Sequence, residues 1–392
     1  MTVFVLGGAQ TDFARNLAKE GREISDLVQE ATLATLEAAD VEAVDTIHVG
    51  NAFGQLYNGQ GHLGAMPAQV VPALRGVPAM RHEAACASGG IAVLAAMAEI
   101  EAGRYDVALV LGVEQEKSVP GDEAARILGA ASWVGHEGDA DFVWPHQFSL
   151  LAEEYDKRYG LDPRFLKGIS ELNYRNARLN PYAQTRTWST PSEDVVDGWV
   201  RRYDCSQITD GAAGVVIAGR AFAEEWSRRT GRPVAEIKGW GHRTVGLALA
   251  DKLAVQDEYV LPHVRQTITD AFARAGVADV WDLDGIETHD CFTPSEYMAI
   301  DHFGITAPGE SWKAVESGML EKDGDLPVNA SGGLIGLGHP VGATGVRMVL
   351  DASRQVTGTA GETQVEGART FGTLNIGGST TTTVSFVIGA TQ

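Results

Sequence analysis

The sequence predicts an α/β protein built from two similar halves, with an insert in the first half. Three observations support this fold class: strand-like and helix-like segments alternate, one stretch interrupts the alternation, and the two ends of the chain share motifs. Such alternation is typical of layered α/β architecture. The 392 residues suit a duplicated fold, because single cores rarely grow beyond about 250–300 residues.

The alternation begins at the first residues and runs in order along the chain. Before the interruption it comprises VFVLGG, a helix over 24–38, DTIHVGN, a helix over 89–103 and DVALVLGVEQ. From about 117 to 203 the segments become charged and aromatic, as in FSLLAEEYDKRYG, and we expect an inserted helical or irregular region there. The alternation then resumes with GAAGVVIAG, a helix over 221–229, PVAEIKGWG and a helix over 260–275.

An internal repeat relates the two ends of the chain. CASGG at 86–90 recurs as NASGG at 329–333, and a similar strand and loop precede each copy, DTIHVGNAFG and DGIETHDCFT. Matches in the same order indicate duplication. We therefore expect an N-terminal half over 1–116 and 204–250, the insert over 117–203, and a C-terminal half over 251–392.

Composition excludes several classes of function. The formal net charge of −21 argues against nucleic-acid binding, because phosphate backbones attract basic faces. Cys86, Cys205 and Cys291 lie far apart without a CxxC pair, so we expect free thiols, a reducing compartment and no metal site. No segment has the roughly 18 apolar residues of a membrane span, and the first residues lack a signal-peptide pattern. We expect a cytoplasmic protein.

The first candidate site residue is Cys86, in HEAACASGG. Glycines permit a tight turn and the following residues form helices, which predicts that Cys86 lies at a helix N-terminus. Unpaired N–H groups and the helix dipole at such a position lower a thiol pKa and expose a nucleophile. The alternative interpretation is a small buried core thiol.

A second motif, SGGLIGLGHPVGATG at 331–345, contains His339. Its six glycines disfavour an ordinary helix start and indicate a loop that lines a site. It is not a dinucleotide fingerprint, because Val341 stands where the third glycine belongs. His339 alone could be structural, but its loop is the repeat partner of the Cys86 loop, which makes a Cys/His pair plausible.

A third motif, THDCFTPSE at 288–296, clusters His289, Asp290, Cys291 and Glu296 just after a predicted strand. Strand ends of α/β sheets are where sites are built. The same residues also fit a capped turn before a helix, with Thr293 or Ser295 as the N-cap. Both interpretations can hold together.

HEAACASGG, THDCF and GGLIGLGHPVGATG together resemble the thiolase superfamily, and the HDCF form resembles its sterol-carrier-protein type. The resemblance covers nearly the whole chain. It implies a duplicated five-layered α/β/α/β/α fold with an inserted loop domain, a homodimer or tetramer, and acyl transfer between coenzyme A thioesters in lipid metabolism such as fatty acid or sterol degradation. Acyl-CoA and coenzyme A would be the substrates, without a bound cofactor.

The resemblance also implies roles for individual residues. Cys86 matches the acylated nucleophile, and His339 matches the histidine that activates it and helps to bind a thioester oxygen. His289 matches the polar residue that positions an oxyanion-hole water. The backbone N–H groups of Cys86 and Gly377 match a second oxyanion hole.

The sequence departs from the commonest thiolase pattern near its C-terminus, where Asn375 replaces a cysteine of a CxG motif. Asparagine cannot shuttle a proton at neutral pH. The resemblance to HDCF thiolases implies Cys291 as the replacement acid/base. For the phosphates of coenzyme A we expect a local basic patch drawn from Arg175, Arg178 or Arg186.

Two rival functions stay open. A decarboxylating ketosynthase would also use a cysteine with two histidines, although HDCF stands where that branch has HGTGT. A thiolase-like protein could instead bind acyl-CoA or lipid without Claisen chemistry, or act as an aldolase together with a partner chain. The presence of Cys86, His289, Cys291 and His339 argues against an inactive site.

Overall fold

The computed structural model describes residues 2–391, and nine of their strands form one mixed sheet in the order β3-β2-β4-β7-β1-β8-β11-β10-β9. Two further strands, β5 and β6, form a hairpin. The strands are β1 (Val3–Gln10), β2 (Thr46–Gly50), β3 (Ala79–His82), β4 (Val107–Gln115), β5 (Val195–Asp197), β6 (Val200–Arg201), β7 (Asp210–Gly219), β8 (Ala235–Thr244), β9 (Gly285–Thr288), β10 (Thr370–Gly377) and β11 (Thr382–Ala390).

The strand order repeats itself on either side of the β1–β8 pair. One half runs β3-β2-β4-β7-β1 and the other runs β9-β10-β11-β8, with parallel pairing of β2 to β4 and of β9 to β10. A parallel bridge from Ile286 to Val328 takes the place that β3 has in the first half. Within the sheet, the halves are joined where β1 and β8 pair antiparallel over three residue pairs, among them Phe4 with Glu236. The two halves therefore share one strand topology, which confirms the duplication that the repeated motifs predicted.

The helices follow the same duplicated order. The chain folds into α1 (Ile24–Ala39), α2 (Gly54–Asn58), α3 (Met66–Val70), α4 (Ser88–Glu101), α5 (Gly121–Leu128), α6 (Val134–Glu137), α7 (Val143–Tyr159), α8 (Pro163–Ala177), α9 (Arg220–Thr230), α10 (Leu249–Leu253), α11 (Pro262–Ala275), α12 (Thr293–Phe303), α13 (Ser311–Ser317) and α14 (Thr344–Val356). Short 3₁₀ turns occur at Leu63–Ala65, Pro72–Leu74, Gly129–Ala131, Arg202–Asp204, Val280–Asp282 and Gly361–Thr363, and a π-helical turn spans Gly333–Leu337.

Helices α4 and α14 pack against each other between the two halves, while α1 packs on β1 and β7 and α11 packs on β8 and β11. This arrangement confirms the five-layered α/β/α/β/α fold. The contact between α4 and α14 needs glycine: a Cβ on Gly345 would lie 2.2 Å from the Gly90 nitrogen, and one on Gly89 would lie 2.8 Å from the Val346 nitrogen. The SGG and GATG motifs thus let the two helix starts approach closely.

The region between β4 and β7 holds α5 to α8 and the β5–β6 hairpin, which agrees with the expected helical insert. Its apolar residues join the core of the second half, where Phe148 and Leu166 share a cluster with Phe303. The Tyr155 hydroxyl donates a hydrogen bond to the buried Asp301 carboxylate at 2.6 Å. The insert therefore packs against α11 and α12 rather than standing apart from them. No helix among residues 2–391 combines the length and the apolar character needed to cross a membrane.

Candidate active site

Cys86 lies in the turn that connects β3 to α4, two residues before the helix begins. Ala85 has a φ of 50°, a conformation that favours glycine. The Ser88 hydroxyl holds the turn, because it donates to the Ala85 carbonyl at 2.6 Å and accepts from the Ala84 N–H at 2.9 Å. The predicted position of Cys86 at a helix start is confirmed.

His339 lies in the corresponding loop of the second half, between the π-helical turn and α14. Its Nδ1 is 2.7 Å from the Thr344 hydroxyl, which donates to the Pro340 carbonyl at 3.3 Å. A hydroxyl that donates to a carbonyl accepts from the imidazole, which assigns the ring proton to Nδ1. The Nε2 atom is then a free acceptor, and it is buried without a hydrogen-bond partner.

His289 and Cys291 follow β9 in the HDCF loop. The Ser295 hydroxyl stabilises this loop by donating to the carbonyls of His289 and Phe292. Asp290 connects it to the His339 loop, because its carboxylate accepts from the Leu334 N–H at 2.6 Å and the Ile335 N–H at 3.1 Å. One carboxylate thereby fixes the two histidine-bearing loops relative to each other.

The fold brings Cys86, His289 and His339 together. The cysteine sulfur and one ring nitrogen of each histidine lie within 4.8 Å of one another. The two imidazole rings meet edge to face with their centroids 5.1 Å apart. Cys86, Cys291 and His339 border a cavity of about 190 Å³, whose other walls are mainly apolar and include Leu128, Trp144, Phe148, Ile208, Phe292 and Val341.

The pKa of Cys86 is raised, to about 12, which corrects the expectation that the helix start would lower it. Burial is the main cause, and the nearby Glu116 carboxyl adds to it. The nearby backbone N–H groups of Gly378 and of Cys86 itself favour the thiolate and oppose the rise. Desolvation disfavours the thiolate more than two N–H groups stabilise it, so the resting nucleophile is a neutral thiol.

The other side chains of the site are also held neutral by burial. The pKa of His339 is lowered to about 3, by burial and then by the charge of Arg347. Burial lowers the pKa of His289 well below its ordinary value, and the neighbouring His339 adds to the effect. Burial raises the pKa of Cys291 well above the ordinary thiol value, and Cys86 raises it further. Proton transfer between neutral partners is the chemistry that this site allows.

The three arginines expected to bind phosphate do not border the Cys86 cavity. Arg175 forms an exposed ion pair with Glu321 at 2.7 Å, and Arg186 pairs with Asp12 at 2.8 Å. Arg178 borders a separate cavity together with residues of the α14 end. Carboxylates that are distant in sequence pair with two of these guanidinium groups, and a phosphate-binding role for Arg175, Arg178 or Arg186 stays a prediction.

Asn375 has a role that the sequence did not predict. Its side-chain Nδ2 donates to the Cys86 carbonyl at 2.9 Å and lies 3.4 Å from His289 Nδ1. Asn375 therefore holds the nucleophile turn in place of supplying an acid/base. The next glycine of the NIGGS motif, Gly377, permits close packing, because a Cβ there would lie 2.2 Å from the Ala84 carbonyl oxygen. The N–H that reaches the sulfur belongs to the following residue, Gly378.

Glu116 was also missed as a site residue. Its carboxyl borders the cavity and accepts from the Val341 N–H at 2.9 Å and the Thr209 N–H at 3.0 Å. The Thr209 hydroxyl in turn accepts from the His339 N–H at 3.0 Å. Glu116 thus anchors the His339 loop from the first half. No sequence motif marks it, because its partners come from two distant segments.

Cys86, His289 and His339 are also the described residues whose donor atoms are close enough to share one metal ion. A thiolate with two neutral imidazoles is a ligand set that suits Zn²⁺. The spacing of cysteines and histidines along the chain does not indicate this metal-ligand set, because the fold brings its donors together from three loops. The same three groups cannot serve as nucleophile and base while they hold an ion.

Comparison with known families decides the relationship. Residues 3–185 match the thiolase N-terminal domain and residues 250–390 match a domain described as thiolase C-terminal domain-like. The chain belongs to the thiolase family. The resemblance inferred from CASGG, HDCF and GHPVGATG is confirmed.

Relatives of this thiolase-family chain include both types that the motifs suggested. An acetyl-CoA acetyltransferase of Methanothermobacter thermautotrophicus is 34% identical, and the match covers 96% of each chain. Sterol carrier protein 2 of Homo sapiens is 27% identical over 97% of this chain and 71% of its own length.

Solved structures support the same fold. The Ltp2-ChsH2(DUF35) aldolase superposes with a TM-score of 0.81 at 21% identity, covering 99% of this chain and 98% of that one. Human mitochondrial 3-ketoacyl-CoA thiolase in complex with CoA gives 0.71 at 18% identity, covering 100% and 98%. At such identities these likenesses concern the fold alone.

Proposed function

We propose that the protein is an acyl-CoA C-acyltransferase that forms or cleaves 3-ketoacyl-CoA through an acyl-cysteine on Cys86. The observation that carries this proposal is the half-buried Cys86 thiol beside the unpartnered His339 Nε2, on a cavity that Cys291 also borders. A neutral thiol next to a free imidazole acceptor is an arrangement for nucleophilic catalysis. The relationship to acetyl-CoA acetyltransferases at 34% identity supports the same chemistry.

In the first half-reaction the Cys86 sulfur attacks the thioester carbonyl of an acyl-CoA while His339 Nε2 takes the thiol proton. The bond between the carbonyl carbon and the coenzyme A sulfur breaks, and the Cys291 thiol donates its proton to that departing sulfur. The products are acyl-Cys86, free coenzyme A, protonated His339 and a Cys291 thiolate. Burial keeps Cys291 protonated at rest, and it makes the Cys291 thiolate, once formed, a stronger base for the second half-reaction.

In the second half-reaction the Cys291 thiolate removes an α-proton from a second acyl-CoA. The resulting carbanion attacks the acyl carbon, and the bond from that carbon to Cys86 breaks. His339 returns its proton to the Cys86 sulfur, which restores the resting state. The reverse sequence is thiolytic cleavage.

We propose two groups of donors for the negative oxygens that form. His339, with a water positioned by His289, would stabilise the enolate oxygen. The N–H of Cys86 and an N–H of the Gly377–Gly378 segment would stabilise the tetrahedral intermediate. Each such donor is worth about 3 kcal/mol of transition-state stabilisation.

We infer a preference for short acyl groups from the size of the apolar cavity beside Cys86. Its volume is about 190 Å³, below the roughly 300–1,000 Å³ of pockets that enclose drug-sized ligands. We also propose a homodimer or tetramer, as the thiolase resemblance implies, and a cytoplasmic location, which three cysteines without a disulfide support. The domain boundaries that we propose are 1–116 with 204–234, 117–203, and 235–392, which moves the boundary expected at 250 because β8 (Ala235–Thr244) pairs with β11 over nine residue pairs and with β1 over only three.

Incubation with a series of acyl-CoAs, followed by intact mass spectrometry, tests the proposed function. We expect a mass increase by one short acyl group, located on Cys86 by peptide mapping and absent in Cys86→Ala. Discharge of the acyl group by malonyl-CoA alone would instead identify a decarboxylating ketosynthase. No acyl adduct with any acyl-CoA would refute acyl transfer and leave the binding or aldolase functions.

A further inference from the structure

A lysine that the proposed mechanism does not use lies buried behind the nucleophile. Lys252 belongs to α10, and its side chain is almost inaccessible, since the residue is 5% exposed. Its ammonium group donates to the Ser379 carbonyl at 2.5 Å, the Ser379 hydroxyl at 2.8 Å and the Thr381 hydroxyl at 2.8 Å. All three N–H donors are therefore directed at one turn, formed by residues 378–381 between β10 and β11.

This turn begins at Gly378, whose N–H is near enough to the Cys86 sulfur to favour its thiolate. Gly378 borders the Cys86 cavity and also a larger cavity of about 980 Å³. The position of the turn thus affects the walls of both cavities and the surroundings of the sulfur.

The turn needs external support because its backbone is unfavourable. Thr380 has a φ of 64°, a left-handed conformation that costs free energy for a β-branched residue. Besides Lys252, the turn is held by the His263 Nε2–H, which donates to the Thr380 carbonyl at 2.9 Å. The Val245 N–H donates to the Thr381 carbonyl at 2.9 Å.

We propose that Lys252 is a positioning residue for Cys86: its ammonium group holds the 378–381 turn and thereby keeps Gly378 in place in the wall of the Cys86 cavity, and deprotonation loosens the turn. An ammonium has three donors for these three acceptors. A neutral amine has two donors and a lone pair, which would face one of the oxygens. The part of this proposal that concerns catalysis rests on the acyl transfer proposed above.

The surroundings of Lys252 favour a change in its protonation state near neutral pH. Burial lowers the pKa of Lys252 to about 7, against the opposing charge of Glu137 on α6. His263 on α11 stays neutral, because burial lowers its pKa to about 4. On α7, Arg158 pairs with Glu154 and donates to the Leu253 carbonyl at 2.8 Å. The ammonium form of Lys252, which holds the turn, therefore predominates below pH 7 and is lost above it.

Hydrogen–deuterium exchange of the 378–381 amides at pH 6 and pH 8.5, scaled for intrinsic exchange rates, tests the proposal. In the wild type we expect about tenfold faster exchange at pH 8.5, the scale of one lost buried hydrogen bond. Lys252→Met should exchange fast at both pH values and show no step. Lys313→Met, at a surface lysine that is 48% exposed, should behave like the wild type.

Thr381→Val provides a second test that does not remove the lysine. It deletes one acceptor without changing the size of the side chain, so we expect intermediate exchange that keeps the pH step. This variant decides the question if Lys252→Met fails to fold. Wild-type exchange in Thr381→Val, or a pH step that persists in Lys252→Met, would overturn the proposal.

The rate of Cys86 acylation provides the catalytic readout. We expect the wild-type rate to fall as pH rises through 7, and Lys252→Met to be slower at low pH and without that fall. A wild type that accepts no acyl-CoA would refute the proposed function, whereas the exchange experiment would still decide the role of Lys252. Identical pH profiles in the wild type and Lys252→Met would refute the catalytic part alone.

Discussion

Replacing His339 by alanine removes the acceptor that lies beside the Cys86 thiol, and the structure sets the size of the effect. With a Cys86 pKa of about 12, only about one sulfur in 10⁵ is a thiolate at pH 7 without a base. A positioned base contributes about 10²- to 10⁴-fold. We therefore expect His339→Ala to acylate Cys86 about 10³-fold more slowly at pH 7 while it stays folded.

The pH dependence provides a sharper test than the rate alone. In the wild type the thiol and the imidazole are both neutral between pH 5.5 and 7, because their pKa values are about 12 and about 3. The wild-type rate should therefore not rise with pH over this range, and half-deprotonation of Lys252, whose pKa is about 7, would lower it about twofold at most by pH 7. In His339→Ala the reactive species is the free thiolate, whose fraction rises tenfold for each pH unit, so the rate should rise tenfold as well.

The assay is the mass of the intact protein after timed exposure to acetyl-CoA, stopped in acid. His62→Asn is the control, because His62 is an exposed histidine with a φ of 55° that asparagine tolerates. It should match the wild type at every pH. A flat profile in His339→Ala, or a rate within tenfold of the wild type, would show that another group accepts the thiol proton.

Four further predictions concern the same site. Cys291→Ser should still form acyl-Cys86, but more slowly because no thiol protonates the departing coenzyme A, and it should lose exchange of the α-hydrogens of bound acyl-CoA with deuterated water; exchange at the wild-type rate would require another base. Asn375→Ala leaves the Cys86 carbonyl without its 2.9 Å donor, so the free energy of unfolding in denaturant should fall by about 1–3 kcal/mol; an unchanged value would contradict that role. Iodoacetamide at neutral pH should label Cys86 before Cys205, because only Cys86 has an adjacent base, and peptide mapping would reveal the reverse order. Zn²⁺ should inhibit acylation until a chelator removes it, and Co²⁺ should give a thiolate charge-transfer band. Insensitivity to both metals would show that Cys86, His289 and His339 do not bind a metal ion together.

The sequence was sufficient to predict the fold and the partners in the site. The repeated SGG motifs placed Cys86 and His339 in equivalent loops, and the duplicated topology then brings those loops together. HDCF added His289 and Cys291 for the same reason. These predictions depended on local motifs and on symmetry, both of which can be recognised along the chain.

Properties that depend on tertiary contacts could not be predicted in this way. The helix start suggested a low Cys86 pKa, but burial and Glu116 raise it, and neither the depth of burial nor that neighbour is encoded near Cys86. The expected phosphate ligands Arg175 and Arg186 are paired with Glu321 and Asp12, whose positions depend on the complete fold.

The contact between α4 and α14 has a consequence for the order in which the protein becomes functional. The ribosome completes the Cys86 turn long before it adds His339, Gly345 and the rest of α14. Until α14 docks against Gly89 and Gly90, the Cys86 thiol is an ordinary solvated thiol with a pKa near 8.5. Docking of the second half then lowers the exposure of the sulfur and places it close to His289 and His339. A newly made chain therefore passes through a stage in which its nucleophile is open to oxidation, and completion of the fold ends that stage.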